Sequence, residues 1–235
     1  MTTFVSVGQS SSKGNGYILE HDGKKLIIEC GIPVREMLAA LGHDIKNCYE
    51  CIVSHSDGDH LGYAMGYMRY FNVRSTTEAA DRIYGVLPML KERKYQLTPF
   101  DVTPLHVEHT VECLSFVIQC GKEKILFATD LCDFPYHIPD LTAILIECNY
   151  SSELREQALL RGEDVRSRSD GHMELSTCIG VLKRLRTIYL NKVVLLHLSD
   201  SLSDEEMFKE RIYRETGIRA EVAGRGTRHK LSSDF

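Results

Sequence analysis

Apolar positions along this chain follow two rhythms, strand-length runs and sets at helical spacing, and the two are interleaved from end to end. Thr3–Val7 predicts a first strand, and Tyr17–Glu20 with Lys25–Glu29 a hairpin around His21-Asp22-Gly23, where Asp-Gly supplies the positive φ of a tight turn. Between them Gln9–Gly16 has no core-forming side chain and predicts a flexible loop. Val34, Met37, Leu38 and Leu41 fall at i, i+3, i+4 and i+7, an amphipathic helix ended by Gly42. Cys51–Val53 predicts a buried strand, and a helix starts near Leu61, with Tyr63–Phe71 continuing it and placing aromatics in the core. Val73–Thr76 reads as a strand and Glu78–Leu90 as a helix stopped around Pro88. Two strands within Pro104–Asp130 turn at Gly121, and Leu141–Glu147 is a further buried strand. Ser152–Leu160 reads as a helix, 161–170 as a charged loop or lid, and Gly171–Ser176 as the opening of a helix that runs through Leu185. Val193–His197 and Glu221–Ala223 predict strands on either side of a helix over Asp204–Thr216. Arg225, Arg228, His229 and Lys230 read as a small solubilising tail.

Candidate chemistry concentrates in Ile52–Gly62, where His55, Asp57, Asp59 and His60 fall within six residues at a strand-to-helix turn. Ligands at such a turn converge without crossing the core, and imidazole with carboxylate suits zinc, iron or manganese. The hairpin around Gly121 places His109 before its first strand and Asp130 after its second, so both lie at one sheet edge. His106 is a rival, but the spacing to the strand that begins at Cys113 fits His109 better. His172 opens a helix and His197 ends a strand. Arg161, Arg166 and Arg168 are the cations nearest these residues along the chain.

At 235 residues and 43% hydrophobic content, the interleaved elements predict one domain over 1–235. No apolar run approaches the ~18 residues of a membrane span, and no basic region precedes an apolar stretch at the N-terminus. A soluble, unexported, cytoplasmic protein is expected. The eight cysteines are scattered, and the lone CxxC, Cys48–Cys51, has no second half, which predicts free thiols. A net charge of -5 argues against a broad electropositive surface but leaves room for local nucleic-acid binding. Oligomeric state, a homodimer included, is open.

Ser54-His55-Ser56-Asp57-Gly58-Asp59-His60-Leu61-Gly62 resembles the HxHxDH loop of the metallo-β-lactamase superfamily, with Asp57 where the second His usually stands. This HxDxDH form is similar to the loop of ComEC-type competence domains. Other motifs resemble the WalJ-type branch: the Ser/Gly-Gly-Asn loop before Gly16, Glu29-Cys30-Gly31 in the place of Asp-x-Gly, Glu147-Cys148-Asn149, and Gly171-His172-Met173-Glu174-Leu175-Ser176. The resemblance implies an αββα sandwich with two divalent metal ions, Zn or Mn, along one edge. One metal would take His55, Asp57 and His109, the other Asp59, His60 and His197, with Asp130 between them. Asp59 would orient a metal-bridged hydroxide, and Glu29 would stand behind the ligands at best. Asp57 makes the site harder and one charge less positive, favouring manganese as a competitor, or else weakens the first position so that one metal works.

The resemblance implies a metal-dependent hydrolase. The leading expectation is a nuclease cleaving phosphodiesters of DNA or RNA, with His172 donating to the scissile phosphate or its leaving oxygen; a helix-capping role for His172 is the alternative. A small cyclic-nucleotide phosphodiesterase with the same centre is the second expectation. A metal-binding protein with little turnover is the third.

Overall fold

The computed structural model of the protein describes residues 2–165 and 169–232. In chain order its elements are β1 (Thr3–Ser11), β2 (Gly14–His21), β3 (Lys24–Ile28), α1 (Val34–Ala40), β4 (Cys48–Ile52), α2 (Gly58–Leu61), α3 (Ala64–Tyr67), β5 (Asn72–Ser75), α4 (Thr77–Arg82), β6 (Leu87–Pro88) and β7 (Tyr95–Leu97). They continue as β8 (Phe100–Val107), β9 (Cys113–Cys120), β10 (Glu123–Ala128), β11 (Ala143–Glu147), α5 (Ser152–Leu160), α6 (Leu175–Leu185), β12 (Lys192–Leu196), α7 (Glu205–Thr216), β13 (Ala220–Val222) and β14 (Arg228–Lys230). One sheet has the order β14-β1-β2-β3-β4-β5-β6 and the other β13-β12-β11-β10-β9-β8-β7. The sheets face each other across Val5, Tyr17, Leu26, Phe100, Phe116, Phe127 and Leu145. Helices α1 and α3 cover the outside of the first through Met37, Ala64 and Tyr67, and α6 and α7 the outside of the second through Cys178, Leu182, Phe208 and Ile212. This is the expected αββα sandwich.

Each sheet is antiparallel on one side and parallel on the other. β3 through β6 run parallel in the first, and β10 through β13 in the second. Parallel neighbours leave their carboxyl ends at one edge, where open α/β sheets gather their ligands. That edge carries Glu29, His55, Asp130, Glu147 and His197, each at the end of or just beyond a parallel strand.

Four elements differ from expectation. Gln9–Gly16 is hairpin rather than loop: β1 and β2 pair to their tip, Ser11 opposite Gly14, after a register shift between Val7 and Gln9. Small residues suit that segment because Cys30–Gly31 crosses closely beneath it, with the Gly31 N–H donating to Asn15 O at 2.9 Å. Tyr63–Phe71 holds only one α-turn, Ala64–Tyr67, although Tyr67 and Phe71 are buried as core side chains. The helix placed over Glu78–Leu90 ends at Arg82, because Ile83 is extended and Gly85 at φ +100° redirects the chain into β6. Arg228–Lys230 is an edge strand paired with β1, not a tail. All eight cysteines are unpaired thiols, and no helix among the described residues is long and apolar enough to cross a membrane.

Candidate metal centre

Strand ends set the site's geometry. Glu29, Asp130 and His197 follow β3, β10 and β12 in the left-handed region, at φ +68°, +51° and +53°. Non-glycine residues rarely hold that conformation, and such outliers gather at functional sites. Here they bend the chain sharply at the sheet edge. α2 begins immediately after the β4 turn and carries Asp59 and His60, while Asp57 sits at its N-cap.

The structure brings together His55, Asp57, Asp59, His60, His109, Asp130, His172 and His197. His55 Nε2 lies 3.4 Å from Asp130 Oδ2 and 3.5 Å from Asp57 Oδ2, and His109 Nε2 lies 3.6 Å from the same Asp57 oxygen. His60 Nε2 lies 2.5 Å from Asp130 Oδ2 and 3.5 Å from Asp59 Oδ2, which is 3.6 Å from His197 Nε2. Donor atoms of Asp59, His60, Asp130 and His197 converge as one set and those of His55, His109 and Asp130 as another, with Asp130 common to both. His106 is exposed and takes no part. Arg166 and Arg168 lie outside the described residues, and Arg161 pairs with Glu163 on the surface.

The imidazoles share one pattern. Nδ1 of each has a protein partner: Ser54 Oγ at 2.8 Å for His55, Glu29 Oε2 at 3.2 Å for His60, the Gly171 carbonyl at 3.0 Å for His109, and Glu147 Oε1 at 3.2 Å for His197. A partner that takes the Nδ1 proton leaves the Nε2 lone pair for a cation, the arrangement usual behind metal-bound histidines. Buried Nε2 atoms of His55 and His197, and Asp130 Oδ1, have no hydrogen-bond partner. Buried polar atoms are rarely left so. Imidazole and carboxylate donors with orphaned atoms at their centre fit a divalent cation.

Electrostatics points the same way. Burial works to raise the Asp130 carboxyl, but His197 and His60 outweigh it and hold it well below the usual range. The converse holds for the rings: against burial, Asp130 and Glu29 lift His60 well above its ordinary value, and Asp130 and Asp59 push His197 up to about 9. His55 moves the other way, lowered by burial and by His60 beside it. So many carboxylates hold protons on neighbouring imidazoles, and metal cations binding there displace such protons.

His172 adjoins the centre, its Nδ1 2.7 Å from Glu147 Oε1 and its ring stacked on His197 at 5.2 Å between centroids. Against burial, Asp130 and Glu147 push it up to about 11. Glu147, to which the sequence reading assigned no role, is fully buried and holds both His172 and His197, while its other oxygen accepts from the N–H groups of Leu131 and Met173. A carboxylate ending an otherwise apolar buried strand was the available signal, because a buried charge requires partners. Asn15 and Ser54 stand in motifs legible in the sequence, which assigns neither of them a role. Asn15 Nδ2 lies 2.9 Å from His60 Nε2 and 3.3 Å from Asp59 Oδ2.

The centre opens into a cavity of about 390 Å³ lined by Ser12, Asp57, Asp59, His109, Asp170 and His172 among others. A lobe of about 220 Å³ adjoins it, lined by Ser12, Asn149, His172, Ser199 and Asp200.

A sequence family described as Anti-Pycsar protein Apyc1 matches residues 2–78, which include His55, Asp57, Asp59 and His60. No curated protein sequence matches the chain. Among solved structures, the metallo-β-lactamase fold protein YhfI from Bacillus subtilis superposes with a TM-score of 0.78 at 15% identity, covering 98% of this chain and 100% of its own. A diphosphatase of the PhnP family does so with a TM-score of 0.69 at 14% identity, covering 99% of each chain. The short form of human tRNase Z gives 0.65 at 14% identity, covering 98% and 100%. At these identities the likeness concerns architecture, and the architecture of this chain is the metallo-β-lactamase fold.

Proposed function

We propose that this protein is a metal-dependent phosphodiesterase acting on a small phosphodiester, a cyclic nucleotide being the natural class. The carrying observation is the charge of the cavity wall. Asp57, Asp59, Asp130 and Asp170 line it, and among the described lining residues there is no lysine or arginine. Proteins that bind nucleic-acid polymers draw affinity from Lys and Arg along the phosphate backbone. A single phosphodiester needs charge only at the reacting phosphorus, and a volume of about 390 Å³ is of small-molecule size.

In this reading His55, Asp57, His109 and Asp130 hold one cation and Asp59, His60, His197 and Asp130 the other. Bound divalent cations supply a nucleophile at neutral pH and neutralise phosphoryl charge. Three carboxylates make manganese a competitor to zinc. Asp59 would orient the attacking water, whose oxygen forms the new P–O bond and whose proton passes to solvent. The P–O ester bond breaks as the leaving oxygen takes a proton from His172, which solvent then reprotonates. Glu147 fixes the His172 ring through Nδ1 and sustains its protonated form. The product is a phosphomonoester.

A nuclease is the second reading. It is supported by the likeness of Gly171–Ser176 and Glu147–Asn149 to the WalJ-type branch, of the metal loop to ComEC-type domains, and of the fold to tRNase Z. The test is hydrolysis of cyclic nucleotides beside end-labelled DNA and RNA by protein reconstituted separately with zinc and manganese, with Asp59→Ala and His60→Ala as controls. Turnover confined to cyclic nucleotides and lost in both variants is expected. Cleavage of polymer that falls steeply with salt would move the protein to the second reading. Activity surviving both substitutions would remove the centre from the chemistry.

A further inference from the structure

The tip of the β1–β2 hairpin and the loop after β12 meet at the cavity mouth, and neither has a part in the chemistry proposed above. Ser12 lines both the main cavity and its side lobe. The next residue, Lys13, places Nζ 2.7 Å from Asp200 Oδ2, and Asp200 itself lines the lobe. This ion pair spans from the first sheet to the strand-end loop of the second. Its side chains are 73% and 69% exposed, and an ion pair so exposed holds weakly and exchanges readily.

Lys13 is therefore a cation beside a cavity whose described lining has none, held by a carboxylate from which it is easily released. We infer that Lys13 is the specificity-determining cation of the site: Asp200 holds it aside in the free protein, and it transfers to the phosphate of the substrate and product. This rests on the proposed hydrolysis of a small phosphodiester. The exchange replaces one solvated pair by a charge-assisted hydrogen bond to phosphate. The released monoester is held as well as the diester, because it carries nearly two negative charges at neutral pH where the diester carries one. Lys13 bonds to Ser11 and Asp200 rather than to the metal centre, so its contribution belongs to binding and not to bond cleavage.

The test is steady-state hydrolysis of a cyclic nucleotide, with calorimetric binding of the corresponding nucleoside monophosphate, for metal-loaded wild type, Lys13→Ala, Asp200→Ala and the double variant. Lys13→Ala is expected to raise KM and weaken monophosphate binding about tenfold, with little change in kcat, as loss of uniform binding requires. Asp200→Ala frees Lys13 and is expected to tighten both by no more than about fivefold, the worth of an exposed pair. The double variant should match Lys13→Ala. Equal weakening by both single substitutions would show that the pair only braces the hairpin, and no change in either would show that Lys13 never meets the phosphate; each overturns the inference. If wild type hydrolyses no small phosphodiester, the proposed function falls. Monophosphate binding then still decides the role of Lys13: loss on Lys13→Ala supports it, and no binding by wild type overturns it.

Discussion

Glu29 shows how much of the centre depends on residues behind it. Both its oxygens accept from the Ser54 N–H, at 3.2 and 3.3 Å, and one faces His60 Nδ1, so a single buried carboxylate fixes the metal loop and a ring within it. Glu29→Gln removes that charge and presents an amide donor in its place. Metal affinity, measured by competition with a chelator, should fall about 10- to 100-fold while the fold persists. Unchanged affinity would show that His60 needs no such anchor. Asp57 offers the complementary test. Asp57→His gives the more usual ligand type and removes one carboxylate, which should shift preference from manganese toward zinc in the same competition. The sequence made Asp57 and its neighbours legible because their spacing within one turn is itself the signal. Glu147 was not legible in that way: its partners His172 and His197 lie 25 and 50 residues away, and only folding brings them to one oxygen.

The elements that position the centre are held by backbone approach as much as by side chains. Gly31 lies where β2, the end of β3 and α2 cross: Cys30 N–H donates to His60 O at 2.8 Å and Gly31 N–H to Asn15 O at 2.9 Å. A Cβ on Gly31 would lie 1.6 Å from Asp59 O and 2.7 Å from Asn15 N, and no side-chain rotation relieves a clash with backbone. Gly31→Ala must push α2 off the sheet edge, carrying Asp59 and His60 with it. It should destabilise the protein by about 3 kcal/mol or more in chemical denaturation, with metal affinity lost in the fraction that still folds. A variant as stable as wild type and still binding metal would mean that α2 has slack these distances do not show. The same crossing explains why Gln9–Gly16 misleads as sequence. Glycine and serine there are selected by a close neighbour, not by flexibility, and that neighbour lies well downstream. Apolar strands such as β11 and helices with regular spacing such as α6 were legible because their own periodicity specifies burial. β6 and β14 were not, since edge strands are defined by pairing rather than by pattern.

At the scale of the molecule, the two sheets are separate hydrogen-bonded systems, and the C-terminal segment joins them at one edge. The chain leaves β13 of the second sheet at Val222 and enters β14 of the first at Arg228. Glu221 ties this passage together, one oxygen meeting the Lys192 ammonium on β12 and the other 2.5 Å from His229 Nδ1 on β14. Burial works to raise the Glu221 carboxyl, but Lys192 and His229 outweigh it and hold it below its usual range. A carboxyl depressed in the folded state stabilises above its unfolded value, and that stabilisation is lost as pH falls through the lower folded value. The join between the sheets should therefore loosen on the acid side of the ordinary glutamate range, while the core between Tyr17 and Phe127 remains closed. Amide exchange read against pH is the measurement, with intrinsic exchange rates corrected for. Protection of Arg228–Lys230 and of the β1 residues facing them should fall in that window in wild type and be low and flat with pH in Glu221→Gln. The size of the effect is modest, because Glu221 is partly exposed and solvent screens the tie. Equal pH dependence in the two proteins would place the acid-sensitive contact elsewhere. In that case β14 is held by its ladder to β1, by the Val7–Thr227 and Leu231–Thr3 backbone bonds, and by Arg228, which pairs with Glu20 and lies over the Phe4 ring.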